Sequence, residues 1–424
     1  MDCTNPVHVA ATATQDSSST KIKYAMASGT SCSSKSHKWT KELHRILCMQ
    51  GGDDDSSYAK NSEGPAAAIS SSTPLLVAAI RSMKLFAAEA SIRIADLGCA
   101  TGYNTLAAMD LVVHNLRRRY EQECADGRGV PEFEAFFCDL PSNDFNSLFR
   151  SLSATDVPSQ KPLYYPAGVP GSFYERLFPR EKLHLVVSLN ALNWLSKIPA
   201  AVLDEKSKAW NKGRVWIDGA RKEVVEAYAE QAAEDLRVFL RCRKEEMKEG
   251  GMLFIVMGGR ERLQQPENQL GDPDSRAKHP FTTSMDRAWQ DLLIEGLIDE
   301  ETRDMFNIPA YMRSVEEVKA AFEEEGSGFE IQQVEFKKII EHSKEKQEQW
   351  VKDPSSYGRA KANLVRAALK PIIAAHIGDL LSEELFKRFE RRISEEIAML
   401  HKTCFYGIII VCAFRTSSSS SSDQ

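Results

Sequence analysis

The chain has 424 residues, 42% hydrophobic and 27% charged, with a formal net charge of −6. At roughly 150 residues per domain this suffices for two to three ordinary domains, or for one large α/β domain with an insertion. The acidic balance disfavours a nucleic-acid groove, and the longest basic run, Arg117-Arg118-Arg119, falls on an expected helix as a solvated face. No run of about 18 apolar residues occurs, so no membrane span is expected, and no apolar leader of a secretory signal is seen. The nine cysteines are scattered and form no CxxC pair. They imply reduced thiols, and the expected location is cytoplasmic.

Residues 1–40 are rich in Ser, Thr and Ala and read as a disordered tail, with a transit peptide as the alternative. Thr73-Pro74 reads as an N-cap with proline at the first helical position, opening a helix over 75–90. Residues 92–95 read as a strand. Leu106, Met109, Val113, Leu116 and Tyr120 recur at helical spacing on one face. Strands are expected at 133–137 and 183–187, then a long helix over 224–247 ended by Gly250-Gly251. Further strands are expected at 252–257, 329–336 and 406–414. The alternation implies an α/β, doubly wound, mostly parallel sheet covered on both faces, with the 92–95 strand central and one antiparallel strand. Residues 261–313 and 355–402 break the alternation and read as a helical cap. The expected division is a core at 41–260 with an N-terminal lid, then cap and part of the sheet at 261–402. A final core strand at 403–415 and a disordered serine tail at 416–424 complete it.

The informative segment is Asp96-Leu97-Gly98-Cys99-Ala100-Thr101-Gly102, between an expected strand and an expected helix. Two glycines permit a tight turn and close approach of the backbone to a ligand. The segment lacks the GKS/T ending of a P-loop and the third glycine of a dinucleotide fingerprint. A carboxylate before the glycines suits S-adenosylmethionine, whose amino and ribose hydroxyl groups need acceptors rather than a phosphate cradle. Asp139, after the second strand, supplies a further acceptor for ribose hydroxyls.

The chain resembles the SABATH methyltransferases of plants, which methylate small acids and, in some members, ring nitrogens. The matching stretches are MQGG at 49–52, SYAKNS at 57–62, residues 95–104, DLPSNDFN at 139–146, GVPGSFYERLFPR at 168–180, WLS at 194–196, NKG at 211–213 and FNIP at 306–309. They follow the family order from about residue 43 to 415. The resemblance implies a Rossmann-like methyltransferase fold and S-adenosylmethionine as cofactor. It assigns Tyr58, Asp96, Gly98, Cys99, Asn104, Asp139, Leu140, Ser172 and Phe173 to that cofactor, with Ser62 beside Tyr58 on a lid. Phe173 can stack on adenine and Ser172 can bond its edge. Asn211, Asp304, Phe306 and Asn307 correspond to a magnesium site of some relatives; a capped loop is the alternative. His184 reads as structural.

Trp194 matches the family tryptophan, whose indole N–H can donate to an acceptor oxygen. Four acceptor-pocket positions depart from the family pattern: Gln50, Pro65, Asn190 and Asn193, the last standing where a histidine is usual. No catalytic base is therefore expected. A carboxylate is ionised at neutral pH and needs none, whereas hydroxyls and amines do. The expected reaction is methylation of a small, aromatic carboxylic acid to its methyl ester, with Trp194 and Asn193 positioning and Gln50 and Asn190 also binding the acid. The alternatives are a nitrogen, hydroxyl or thiol acceptor, or a non-catalytic binding relative. Beyond the acid, the only expected partner is a second copy in a homodimer.

Overall fold

The structure is a computed structural model that describes residues 43–124, 129–153, 162–264, 266–269, 280–340, 342–396 and 405–417. The expected tail at 1–40, residues 418–424 of the serine tract, 270–279 and 397–402 of the expected cap, and 403–404 of the expected final strand lie outside these.

Seven strands form one sheet: β1 (Ser91–Leu97), β2 (Glu132–Asp139), β3 (Tyr165–Pro170), β4 (Leu183–Leu189), β5 (Met247–Gly258), β6 (Phe329–Ile340) and β7 (Phe405–Arg415). Their order is β3-β2-β1-β4-β5-β7-β6. β1 to β5 pair in parallel, while β7 runs antiparallel to both β5 and β6 and is the one reversed strand. β1 is third in the order, and β6 and β7 close one side as expected.

The helices described here are α1 (Glu63–Ser82), α2 (Tyr103–Glu123), α3 (Phe145–Ser153), α4 (Lys222–Glu246), α5 (Pro280–Ile294), α6 (Val315–Glu323), α7 (Lys344–Lys352), α8 (Pro354–Ile377) and α9 (Asp379–Glu395). One sheet face carries Met252, Phe254 and Val256 of β5 against Leu76 and Ile80 of α1 and Met109, Val113 and Leu116 of α2. The other carries Leu253, Ile255 and Met257 against Leu236, Phe239 and Leu240 of α4 and Val318 and Phe322 of α6. Successive residues of β5 thus alternate between two buried faces, which is why the strand reads as an unbroken apolar run. A third cluster joins Trp289, Phe306, Phe386 and Phe389 of the cap to Tyr228 of α4. Among the described residues, no helix is long and apolar enough to cross a membrane.

Two local expectations are corrected, and one strand, β3, was not foreseen. The first helix starts at Glu63, not after Thr73, and encloses Pro74. The Ser71, Ser72 and Thr73 hydroxyls donate to the carbonyls of Ala68 (2.9 Å) and Ile69 (2.8 and 3.2 Å), turning inward rather than capping. Burial of Ala68, Ser72, Leu76 and Ile80 along one stripe outweighs the bond lost at proline. Gly250 and Gly251 do not end α4 with a loop; the chain passes from helix at Glu246 into β5 at Met247, and both glycines lie inside the strand. A Cβ on Gly251 would lie 2.8 Å from the Lys248 carbonyl oxygen, so the glycine serves a close approach at the irregular β4–β5 register. Finally, β3 is an edge strand that carries proline at two positions, where missing N–H donors are tolerated.

Candidate active site

The strand order reverses at β1, whose neighbours are β2 and β4, so a crevice opens beyond their carboxyl ends. Gly98 turns the chain there at φ 82°, its N–H donating to the Cys138 carbonyl (2.8 Å). A Cβ at Gly98 would sit 2.2 Å from the Ala191 Cβ, beyond β4, so no larger residue fits. Cys99 is buried and its N–H donates to the same carbonyl (3.1 Å). Ala100, at φ 50°, donates its N–H to Asp139 Oδ2 (2.7 Å), and Leu140 N–H donates to Asp139 Oδ1 (2.7 Å).

Asp96 is 2% exposed. Its Oδ2 accepts the Thr105 hydroxyl (2.5 Å), while Oδ1 is buried with no partner. Burial raises the Asp96 pKa to about 7, against the Thr105 bond and with the help of the Asp139 charge. Burial raises Asp139 to about 6, opposed by its two N–H donors. Two carboxylates held short of donors at strand ends match a ligand bearing amino and hydroxyl groups.

The segment expected as a lid borders the cleft through Tyr58. Tyr58 opens a single 3-10 turn, Tyr58–Lys60, with its N–H on the Gln50 carbonyl (2.9 Å). Ser62, at the start of α1, accepts the Asn104 amide of α2 through its hydroxyl (3.0 Å) and its carbonyl (3.3 Å). Tyr58, Gly98, Asp139, Leu140, Ser172, Phe173, Asn190 and Trp194 line one cleft with residues to which the sequence gave no role of their own: Leu47, Cys48, Met49, Ala100, Tyr174, Leu189, Ala191, Leu195 and Ser196. Phe173 meets Tyr174 edge-on at 4.7 Å. The Tyr174 hydroxyl donates to the Trp194 carbonyl (2.6 Å). Tyr174 stands inside the GSFYERLFPR stretch, so its position, though not its partner, was visible in the sequence.

The acceptor side differs from expectation in two residues. Asn193 is 6% exposed and does not line the cleft. Its amide donates to the Gly258 carbonyl (2.7 Å) and its Oδ1 accepts the Gly258 N–H (2.8 Å), clamping the end of β5. Gln50 likewise lies off the cleft lining, its N–H bound to the Ala367 carbonyl (2.7 Å) on α8. Asn190 does line the cleft, at φ 64°, with its amide on the Pro65 carbonyl (3.3 Å) and Oδ1 buried without a partner. His184 sits within β4, accepting the Arg93 N–H (2.9 Å), and burial lowers its pKa to about 4.

The four residues read as a magnesium set come together, but the Asn307 and Asp304 oxygens are already taken by protein donors. Asn211 donates to Asn307 Oδ1 (2.7 Å), and Asp304 Oδ1 takes the Gly213 N–H (2.9 Å) and the Arg303 guanidinium (2.8 Å). Phe306 turns its ring onto Trp289 (4.8 Å). Among the described residues, no group of three or more His, Cys, Asp or Glu side chains is placed to hold a metal. A carboxylate oxygen already paired with arginine and facing amides do not fit a divalent cation; they fit the capped loop.

Fold and cleft together are those of an S-adenosylmethionine-dependent methyltransferase: the unpartnered Asp96 oxygen and the glycine cradle suit that cofactor, whose sulfonium supplies an electrophilic methyl group. Residues 44–417 match the family described as SAM dependent carboxyl methyltransferases. The chain is 57% identical to gibberellic acid methyltransferase 2 of Arabidopsis thaliana, over 89% of this chain and 96% of that protein. It is 37% identical to indole-3-acetate O-methyltransferase 1 of the same plant, over 88% and 96%. The solved structure of loganic acid methyltransferase with SAH superposes with a TM-score of 0.74 at 30% identity, covering 88% of this chain and 99% of that one. The chain belongs to this family, the SABATH methyltransferases, and is an enzyme that converts a small-molecule carboxylic acid to its methyl ester.

Proposed function

We propose that the acceptor is a gibberellin, a compact polycyclic carboxylic acid, in place of the aromatic acid expected from the sequence. The choice of acid is supported by the 57% identity to the gibberellic acid enzyme, against 37% to the indole-3-acetate enzyme. The observation that carries the acceptor chemistry is that, among the described residues, the cleft lining offers no free base. Its titratable lining side chains, among the described residues, are Cys48, Tyr58, Asp139 and Tyr174. Burial raises the pKa of Cys48, Tyr58 and Tyr174, so all three keep their protons. Asp139 is bound to two peptide N–H groups. An acceptor in this cleft must arrive already ionised, and a carboxylate does.

In this reading Asp96 and Asp139 accept the amino and ribose hydroxyl donors of the cofactor. Gly98, Cys99 and Leu140 bring backbone close to it, and Ser172 and Phe173 hold adenine. Tyr58, Ser62 and Asn104 close the lid and exclude water. The Trp194 indole N–H aims the carboxylate for in-line attack, and Asn190 binds the acid elsewhere. Asn193 is reassigned: it steadies the backbone beside Trp194 and does not touch the acid.

The test is a labelled-methyl transfer screen with gibberellic, indole-acetic, benzoic, cinnamic, jasmonic and loganic acids, with a xanthine and a thiol as controls. Gibberellic acid should give a kcat/KM at least about tenfold above the other acids. Preferential turnover of the xanthine or thiol would overturn the carboxylate assignment; preference for an aromatic acid would overturn the gibberellin.

A further inference from the structure

Arg243 and Glu246, at the end of α4, form an ion pair of which both side chains are fully buried. Arg243 Nε donates to Glu246 Oε2 (2.8 Å) and Nη2 to Oε1 (3.0 Å). The rest of the pair's bonding capacity is directed at one loop. Arg243 Nη1 donates to the Phe173 carbonyl (2.8 Å) and Nη2 to the Glu175 carbonyl (2.9 Å). Glu246 Oε1 accepts the N–H groups of Leu177 (2.5 Å) and Phe178 (3.2 Å). The guanidinium lies 5.1 Å from the Phe239 ring centroid, and that ring meets Phe173 edge-on at 6.2 Å.

A buried ion pair seldom repays its desolvation in stability, so its retention asks for another reason. Here the reason lies in what the loop carries. Phe173 lies in the cleft, and the next residue, Tyr174, reaches through its hydroxyl to the Trp194 carbonyl (2.6 Å). One rigid segment thus touches both halves of the cleft.

We propose that Arg243 and Glu246 are positioning residues for methyl transfer: they fix the 172–178 loop so that Phe173 on the cofactor side and Trp194 on the acceptor side, joined through Tyr174, keep a set separation. This rests on the assignment of Phe173 to the cofactor. Displacement at a sulfonium carbon depends on distance and alignment, so a loose loop slows the chemical step more than it weakens acceptor binding.

Arg243→Lys keeps a cation for Glu246 but loses the fork that holds two carbonyls. In the full chain it should raise the cofactor Kd about fivefold and lower kcat about tenfold, with acceptor KM within about twofold. Tyr174→Phe should lower kcat about fivefold while leaving the cofactor Kd within about twofold. Because both act through one loop, the double variant should fall well short of the product of the two effects. A folded Arg243→Lys with kcat and cofactor Kd both within about twofold of the parent, or multiplicative effects, would overturn the proposal. Should Arg243→Lys not fold, Tyr174→Phe decides alone, and an unchanged kcat overturns the link. Phe173→Ala separates the two readings. Unaltered cofactor affinity there faults the adenine assignment, whereas an impaired Phe173→Ala beside a normal Arg243→Lys faults the clamp.

Discussion

Around the Gly98 turn, buried acceptors are left short of partners; beside Trp194, the polar group next to it in sequence is already saturated. Asp96 keeps an unpaired oxygen at 2% exposure, and Asp139 is raised by burial despite two N–H donors. Asn193, by contrast, spends both ends of its amide on Gly258. An unsatisfied buried carboxylate destabilises the empty protein and is relieved by a ligand, so the cofactor side holds its affinity in reserve. Asn193 contributes rigidity beside Trp194 instead, which suits a substrate that arrives ionised and needs only aim.

The largest expected effect breaks the first half of this contrast. Gly98→Ala puts a methyl group into Ala191 and strains a left-handed residue. Overpacking and backbone strain together should cost about 3 kcal/mol, read as lost thermal stability and lost cofactor binding by calorimetry. Retention of both would show that the turn yields. Next, Asn193→Ala strands the N–H and carbonyl of Gly258 and should destabilise the fold by about 2–3 kcal/mol in denaturant titration. Acceptor KM should move less than about twofold, since the side chain does not line the cleft. A stable variant with a much higher KM would return Asn193 to the acid. Asp139→Asn keeps shape but loses charge, and the cofactor Kd should rise about tenfold.

The pH dependence sharpens the same point. Asp96 and Asp139 are raised from 3.8 to about 7 and about 6. The folded chain therefore holds protons that the unfolded chain releases. Their stabilisation is complete below about pH 4 and is lost as pH rises through about 6 to 7. Without ligand, the melting temperature of the parent should fall relative to Asp96→Asn over that window and level off above it. A rising difference would reverse the assignment. The smallest effect expected is that of a chelator: with Asp304 bound to Arg303 and Gly213, stripping divalent ions should change kcat by less than about twofold.

What could be read in the sequence follows the same division. The turn at Gly98 and the acceptors Asp96 and Asp139 depend on contiguous residues at strand ends, where local backbone chemistry leaves few choices. β5 and β7 were legible because both their faces are buried and their runs are continuously apolar, whereas the proline-bearing edge strand β3 was not. Asn193 was not legible, since its partner Gly258 lies 65 residues away and no local pattern points to it. Arg243 and Glu246 have the spacing of an ordinary surface pair on a helix; only the packing of the 172–178 loop over them makes them buried. Pro74 misled because Ser/Thr before proline commonly starts a helix, and the stripe that carries the helix through depends on contacts with the sheet and α2.

The place of β7 bears on how the molecule comes to be assembled during synthesis. Among the described residues β6 pairs with β7 alone, and β7 fills the gap between β5 and β6. Until residues 405–415 have left the ribosome, β6 has no ladder to join and the outer edge of β5 stands bare. The half built from β1 to β5 can form first; the nascent chain must meanwhile keep the edge of the apolar β5 and the unpaired β6 from pairing with other chains. Completion of the sheet thus waits on the synthesis of residues 405–415, and a chain arrested before residue 405 would leave the β5 edge and β6 unpaired.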